Sequence, residues 1–170
     1  MRRIAITNLK GGSGKTCTAT ALAVGLARRG IRTLLVDTDP SANASWTVGA
    51  GQGPDAPTLS AVLMREASTA EAIRPTPVEG LDLLPADATL GGVNVRLAQE
   101  LGRDTRLRAA LAAVDAAYQF VIVDTGPSLT TLLVNALVAV EEVFVPVDMG
   151  VYAVLGLVEL ERIVAEIHEA

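Results

Sequence analysis

Between the apolar run Arg3–Thr7 (RIAIT) and an Ala- and Leu-rich stretch starting at Thr16 stands the loop Lys10-Gly11-Gly12-Ser13-Gly14-Lys15-Thr16. A chain that leaves a buried strand, crosses a glycine-rich turn and enters a helix has few folds open to it. Glycines let backbone N–H groups converge on one point, and a helix N-terminus adds partial positive charge, so such a turn is an anion site. A flexible surface turn is the alternative. The lysines bear on that choice. Lys10 and Lys15 are the only lysines in the chain, and every other member of its 14 Lys+Arg residues is arginine. If arginine serves for charge elsewhere, these two are kept for a compact ammonium rather than a planar fork. Lys15 is then placed to reach the β- and γ-phosphates of a nucleotide, and the Thr16 hydroxyl to ligate Mg²⁺. The usual phosphate-loop pattern G-x-x-x-x-G-K-[ST] nevertheless fails, because its first glycine falls on Leu9 and the glycines stand instead at Gly11 and Gly12, behind a lysine.

The flanking segments repeat one theme. Thr16–Arg29 predicts a helix with Leu22 and Leu26 at helical spacing and Gly30 as its stop signal. Arg32–Asp37 predicts a second buried strand, and strand, loop, helix and strand together make a βαβ unit and a parallel sheet. Further along, Leu59–Glu66 and Thr69–Ile73 predict short helices, Leu81–Pro85 a strand, Arg106–Ala117 a helix, Phe120–Asp124 a strand and Leu129–Val140 a helix. Glu142–Val147 predicts a strand and Ala153–Glu169 a final helix, while Gly49–Thr58 reads as loop by its Gly and Pro content. The fold class is therefore α/β, with a mostly parallel sheet covered by helices on both faces. The 170 residues are expected to form one domain.

Composition narrows the function classes. Aromatic residues make up 3% of the chain against 50% hydrophobic, so the core must be built from Ala, Val, Leu and Ile. A net charge of −5 argues against a general polyanion binder, although not against a local basic patch. Cys17 is the single cysteine, which leaves neither an internal disulfide nor a Cys-rich metal site. The apolar run after Met1-Arg2-Arg3 is too short for a signal peptide core. No uninterrupted apolar run approaches the ~18 residues of a membrane span. A cytoplasmic protein without a membrane partner is expected.

Two acidic motifs close strands. Asp37-Thr38-Asp39-Pro40 ends the second strand, at the end of a sheet where ligands tend to bind. Taken alone it also suits an Asx-type turn. Asp124 ends the apolar run FVIV, which is the pattern of a buried strand presenting a carboxylate to Mg²⁺, usually through water. The competing reading is a strand-terminal Asp that caps the next helix.

With these landmarks in place the chain resembles a known family. KGGSGKT matches the deviant Walker A motif, and NLKGGSGKT after RIAIT resembles the ParA branch of the ParA/MinD ATPases. The stretch DTDPSANAS is similar to that family's DxDPQGN switch segment, departing at Ser41 and Ala42 and keeping Asn43. The stretch DTGPSLTTLLVNAL is similar to its DxPPSL…NAL, with Gly126 in place of the first proline and Pro127, Ser128, Leu129, Asn135, Ala136 and Leu137 matching. EAIRPTPVEGLDLLPAD and EEVFVPVDMGVYAVLGLVEL are also similar to ParA segments in the expected order, so the resemblance covers nearly the whole chain.

The resemblance implies a P-loop NTPase fold that binds ATP and Mg²⁺. It assigns nucleotide binding to Lys10, Gly11, Gly12, Ser13, Gly14, Lys15, Thr16 and Cys17. Metal binding falls to Thr16, Asp39 and Asp124, the carboxylates acting through water. Asp37, Asp39, Pro40, Asn43, Asp124, Gly126 and Pro127 are its switch residues, with Asp37 supporting the metal region. Catalysis falls to Lys10, Lys15 and Asp39: Asp39 positions the attacking water, and Lys10 reaches in trans to a partner's phosphates in an ATP-sandwich homodimer. The implied role is plasmid or chromosome partition with a ParB-like activator and non-specific DNA, which would place the protein on the nucleoid if DNA binding is retained. Family members continue beyond the point where this chain stops, so it is C-terminally truncated relative to them. Three alternatives stand beside this reading: a pseudo-ATPase regulator that binds nucleotide or a full-length relative, a ParA-like ATPase positioning a protein cargo, and a small-molecule amidoligase of the same superfamily.

The remaining conspicuous residues carry less. Cys17 is expected as a small packed side chain, Trp46 as a core residue or a partner contact, and His168 as a solvated helix end. The last helix has an apolar stripe of Val154, Leu157, Val158, Leu160, Val164 and Ile167, and a polar face of Glu159, Glu161, Glu166 and Glu169 against Arg162. An acidic face is repelled by anionic lipid, so this helix is expected to pack on the sheet rather than lie on a membrane.

Overall fold

The computed structural model describes residues 1–49, 56–147 and 151–169. Its sheet is built from β1 (Arg2–Ile6), β2 (Thr33–Asp37), β3 (Arg74–Pro75), β4 (Leu81–Leu84), β5 (Phe120–Asp124) and β6 (Glu142–Phe144), in the order β3-β4-β2-β5-β1-β6. All pairings are parallel except the short β3 with β4. β2 is buried at every position, as the central strand of a sheet covered on both faces must be.

The period-two alternation of the strands sorts their side chains into two cores. Leu34, Val36, Val121 and Val123 belong to one core, and Leu35 and Ile122 to the other. On the second face lies α1 (Lys15–Ala27). The sequence points to Leu22 and Leu26 as its buried residues, but its buried stripe is Ala19, Ala23 and Ala27, and the leucines pack only at the margin. Alanines four apart let the helix axis approach the sheet closely, which holds the phosphate loop tight against the strand ends. The first face carries α3 (Leu59–Leu63), α5 (Leu90–Leu97), α6 (Arg106–Ala112), α7 (Thr131–Val138) and α8 (Val151–Glu169).

Several expected bounds shift. The segment read as one helix over 106–117 is α6 followed by a separate 3-10 turn, Asp115–Ala117. Glu142–Val147 shortens to β6, because Pro146 has no N–H to continue a ladder. The helices near 59 and 69 are short, and the second, α4 (Thr69–Ala72), starts on a Ser68/Glu71 capping box. Two helices were not anticipated: α2 (Asn43–Thr47) and α5. Gly91 and Gly92 in the first turn of α5 lower its helix propensity and hide it from a pattern search. The loop read over 49–58 lies in part outside the described residues.

In α8, Leu160 and Ile163 are buried and Val164 and Ile167 pack at the core margin, while Leu157 and Val158 are exposed. Arg162 bridges Glu159 and Glu166 along its outer face. Val154 and His168 lie outside the side chains described. No helix of the described residues is long and apolar enough to cross a membrane.

The parallel register fixes the site. Ile6 pairs with Asp124, and Asp124 pairs with Asp37. The glycine loop after β1, the carboxylate ending β5 and the acidic segment ending β2 therefore meet at the C-terminal ends of the central strands.

Candidate nucleotide and metal site

The loop between β1 and α1 curls because Gly12 and Gly14 adopt φ of 74° and 83°, a region open to glycine at little cost. Gly14 caps α1 in that conformation, and its carbonyl accepts from the Thr18 N–H at 2.9 Å. Asn8 ties the loop down at its start: its Oδ1 accepts from the Lys10 N–H at 2.9 Å and its amide donates to the Pro146 carbonyl at 2.8 Å.

The Lys15 side chain is buried and its Nζ donates to the Lys10 carbonyl at 3.0 Å, folding back across the loop. Burial lowers its pKa, and the charges of Asp124 and Asp39 oppose that shift. The hydroxyl of Ser13 is buried with no hydrogen-bond partner.

A cleft of about 550 Å³ is lined by the loop from Gly11 to Cys17 together with Asp39, Ser41, Asn43 and Pro127. The structure thus brings the glycine loop and both switch segments to one cavity. Cys17, expected to be packed, is exposed on its wall.

Asp39 sits in an Asx turn, its Oδ1 accepting from the Ser41 N–H at 2.9 Å. Gly126 lies directly against it: a Cβ on Gly126 would stand 3.5 Å from the Asp39 Cγ. Asp37 is fully buried behind the cleft, where its carboxylate accepts from the Asp39 N–H at 3.1 Å and from the Ser45 N–H and hydroxyl at 2.8 and 2.7 Å. Burial raises its pKa, and these bonds oppose the rise.

Asp124 is the electrostatic anomaly. Neither carboxylate oxygen accepts a hydrogen bond, and the side chain is fully buried. Burial pushes its pKa from the ordinary 3.8 up to about 7, with the charges of Asp37 and Asp39 adding to the rise; the Thr16 hydroxyl and the Lys15 ammonium pull the other way. A buried, unpartnered carboxylate beside a threonine hydroxyl is a fitting place for a divalent cation. Among the described residues no group of three or more His, Cys, Asp or Glu is placed to hold a metal. Mg²⁺ keeps several waters and takes one or two protein oxygens plus phosphate, so a site for it needs no such group.

The sign of the pH effect follows. The folded chain holds the Asp124 proton more tightly than the unfolded chain, so its stability falls as pH rises from about 4 to 7 and the full cost, on the order of 4 kcal/mol, is felt above pH 7. Asp124→Asn should therefore stabilise the nucleotide-free protein at pH 8 and do little for it at pH 4. Denaturant unfolding of both proteins at the two pH values measures this, and an equal effect at both would show that Asp124 does not titrate in that window.

A mostly parallel α/β sheet whose central strand ends feed a glycine phosphate loop and two acidic segments is a P-loop-type nucleotide-binding fold. The AAA_31 family, described as an AAA domain, matches residues 1–170. The chain is 44% identical over 98% of its length to the chromosome partitioning protein ParA of Caulobacter vibrioides. It is 41% identical over 92% of its length to the sporulation initiation inhibitor protein Soj of Bacillus subtilis. It spans 63% and 62% of those two curated relatives, less than two thirds of either. Among solved structures, cobyrinic acid a,c-diamide synthase from Mycobacterium smegmatis with bound ATP analog and magnesium superposes with a TM-score of 0.92, at 33% identity, over 99% of this chain and 69% of that one. The chain belongs to the AAA_31 family of AAA domains, with ParA and Soj proteins among its relatives.

Trp46, read from the sequence as a core residue or a partner contact, is 70% exposed on α2 and is not part of the core. Sequence reasoning passed over Ser45 entirely, and only the fold shows that it meets Asp37.

Proposed function

We propose that the chain is a Mg²⁺-dependent, dimerising ATPase of the ParA type, acting in plasmid or chromosome partition with a ParB-like activator. The observation that carries this reading is the meeting of Lys15, Thr16, Asp39 and Asp124 at the C-terminal end of the central strands, beside a cleft lined by the glycine loop. The loop amides from Gly11 to Thr16 and the Lys15 ammonium bind the β- and γ-phosphates. The Thr16 hydroxyl, together with Asp39 and Asp124 through water, would hold Mg²⁺. When bound, the metal neutralises charge developing on the phosphate oxygens. Asp39, at the lip of the cleft, orients the water that displaces ADP from the γ-phosphorus. Asp37, Pro40, Asn43, Gly126 and Pro127 form the segments that respond to the γ-phosphate.

Lys10 is assigned to the phosphates of a second copy, so that nucleotide holds two chains together. Non-specific DNA is the proposed surface on which the dimer acts. Identity favours partition over amidoligation, at 44% to a ParA against 33% to the diamide synthase. Ser41 and Gly126, where the chain departs from the family's switch segments, favour a second reading, a regulator that pairs with nucleotide or with a longer relative.

Lys10→Ala is expected to leave nucleotide affinity within a few-fold and to abolish dimerisation driven by MgATPγS. Sedimentation velocity with and without nucleotide reads this. A variant that still dimerises would remove Lys10 from the trans role.

A further inference from the structure

The segment from Asp37, the last residue of β2, to Ser45, inside α2, closes on itself with Asp39 in its connecting loop. At its base, the Ser45 N–H and hydroxyl both donate to one oxygen of Asp37, at 2.8 and 2.7 Å, and the other oxygen accepts from the Asp39 N–H at 3.1 Å. The Ser45 hydroxyl oxygen in turn accepts from the Ala86 N–H at 3.1 Å, which fastens the loop to the chain just beyond β4. Asp37, at 0% exposure, and Ser45, at 1%, are both shut off from water. A buried carboxylate needs such donors, so the loop closes where they are.

The loop between is not relaxed. Ala42, the residue preceding α2, stands at φ 55°, where residues with a side chain are uncommon. A strained residue of this kind persists only where its surroundings over-determine it. The surroundings here are the two bonds of Ser45 to Asp37, the Ser45–Ala86 bond, and the Asx turn in which Asp39 accepts from Ser41.

We propose that Ser45 is a positioning residue for the reaction: through Asp37 and Ala86 it holds the loop so that the Asp39 carboxylate stays at the lip of the phosphate cleft. Ser45 itself does not line that cleft, and Asp37 has its oxygens occupied by the loop's own donors. Asp37 thus serves the loop's shape, which deepens the role of supporting the metal region implied for it by resemblance. This inference rests on the ATPase reading for its catalytic consequence, and on the hydrogen bonds alone for the clamp.

The test uses the full chain and the three variants Ser45→Ala, Ser45→Thr and Ser45→Cys. Trp46, the only tryptophan, is the next residue and is exposed, so its fluorescence anisotropy reports loop motion without any nucleotide. Ser45→Ala is expected to lower that anisotropy, to leave the affinity for a fluorescent ATP analogue within about threefold, and to reduce turnover by about 10- to 100-fold, the cost of a misplaced group. Ser45→Thr, which keeps the hydroxyl, restores both readouts. If Ser45→Ala does not fold, Ser45→Cys, which keeps the volume and weakens both bonds, carries the same comparison. A folded variant with unchanged anisotropy and unchanged turnover would overturn the proposal, as would affinity and turnover falling together. Should the wild-type chain itself fail to bind or hydrolyse ATP, the ATPase reading fails, and the anisotropy comparison still decides whether Ser45 clamps the loop.

Discussion

Lys15→Ala is expected to lower the affinity for MgATP by at least about 100-fold. The ammonium is assigned to two phosphate groups, and charge-assisted hydrogen bonds contribute about 1.5–3 kcal/mol each, which together span roughly two to four orders of magnitude in Kd. The side chain already lies folded over the loop, buried and bonded to the Lys10 carbonyl at 3.0 Å. Nucleotide therefore meets an ammonium held in the loop rather than one recruited from solvent. Burial lowers its pKa, but Asp124 and Asp39 counter that shift. Nucleotide titration of the variant checks the prediction, with circular dichroism as the control for folding. Unchanged affinity would mean that the glycine loop does not hold the phosphates.

Asp39→Ala is expected to separate binding from turnover. Affinity stays near the wild-type value, because the loop amides and Lys15 are untouched. Turnover falls by about 100-fold or more, the scale lost when a positioned proton acceptor is removed. On the proposed reading, in which hydrolysis releases the dimer, the nucleotide-bound dimer should then persist. Asp39 is suited to this work by its setting: its N–H is tied to Asp37 at 3.1 Å, its Oδ1 to the Ser41 N–H at 2.9 Å, and Gly126, without a side chain, lies beside its carboxylate. Phosphate release and the lifetime of the dimer, measured on the same sample, give the result. Normal turnover would assign the water to another group.

The site was readable in the sequence to the extent that its chemistry is local. Gly12 and Gly14 take backbone angles that favour glycine, and Lys15 and Thr16 follow in the same turn, so one short motif carries the cradle. Asp124 could be placed because an apolar run ending in a carboxylate is itself a statement about a strand end. What stayed hidden depends on contacts between distant segments. The Ser45–Ala86 bond joins residues 41 positions apart, and α2 is too short to show a period. The buried face of α1 is made of alanines, which a search for leucine spacing passes by. The exposure of Trp46 and Cys17 likewise follows from which way short elements turn, and composition says nothing of that. The lack of a hydrogen bond to the Asp124 carboxylate needed the fold as well, because a strand-terminal Asp can also cap the next helix.

The most direct measurement of the central claim is a calorimetric titration of the wild-type chain with ATPγS at pH 7.5, with and without Mg²⁺. The account predicts saturable binding of one nucleotide per chain in the presence of Mg²⁺, weakened at least about 10-fold when the metal is removed and similarly weakened by Asp124→Asn. No saturable heat, or an affinity indifferent to both Mg²⁺ and Asp124, would contradict it.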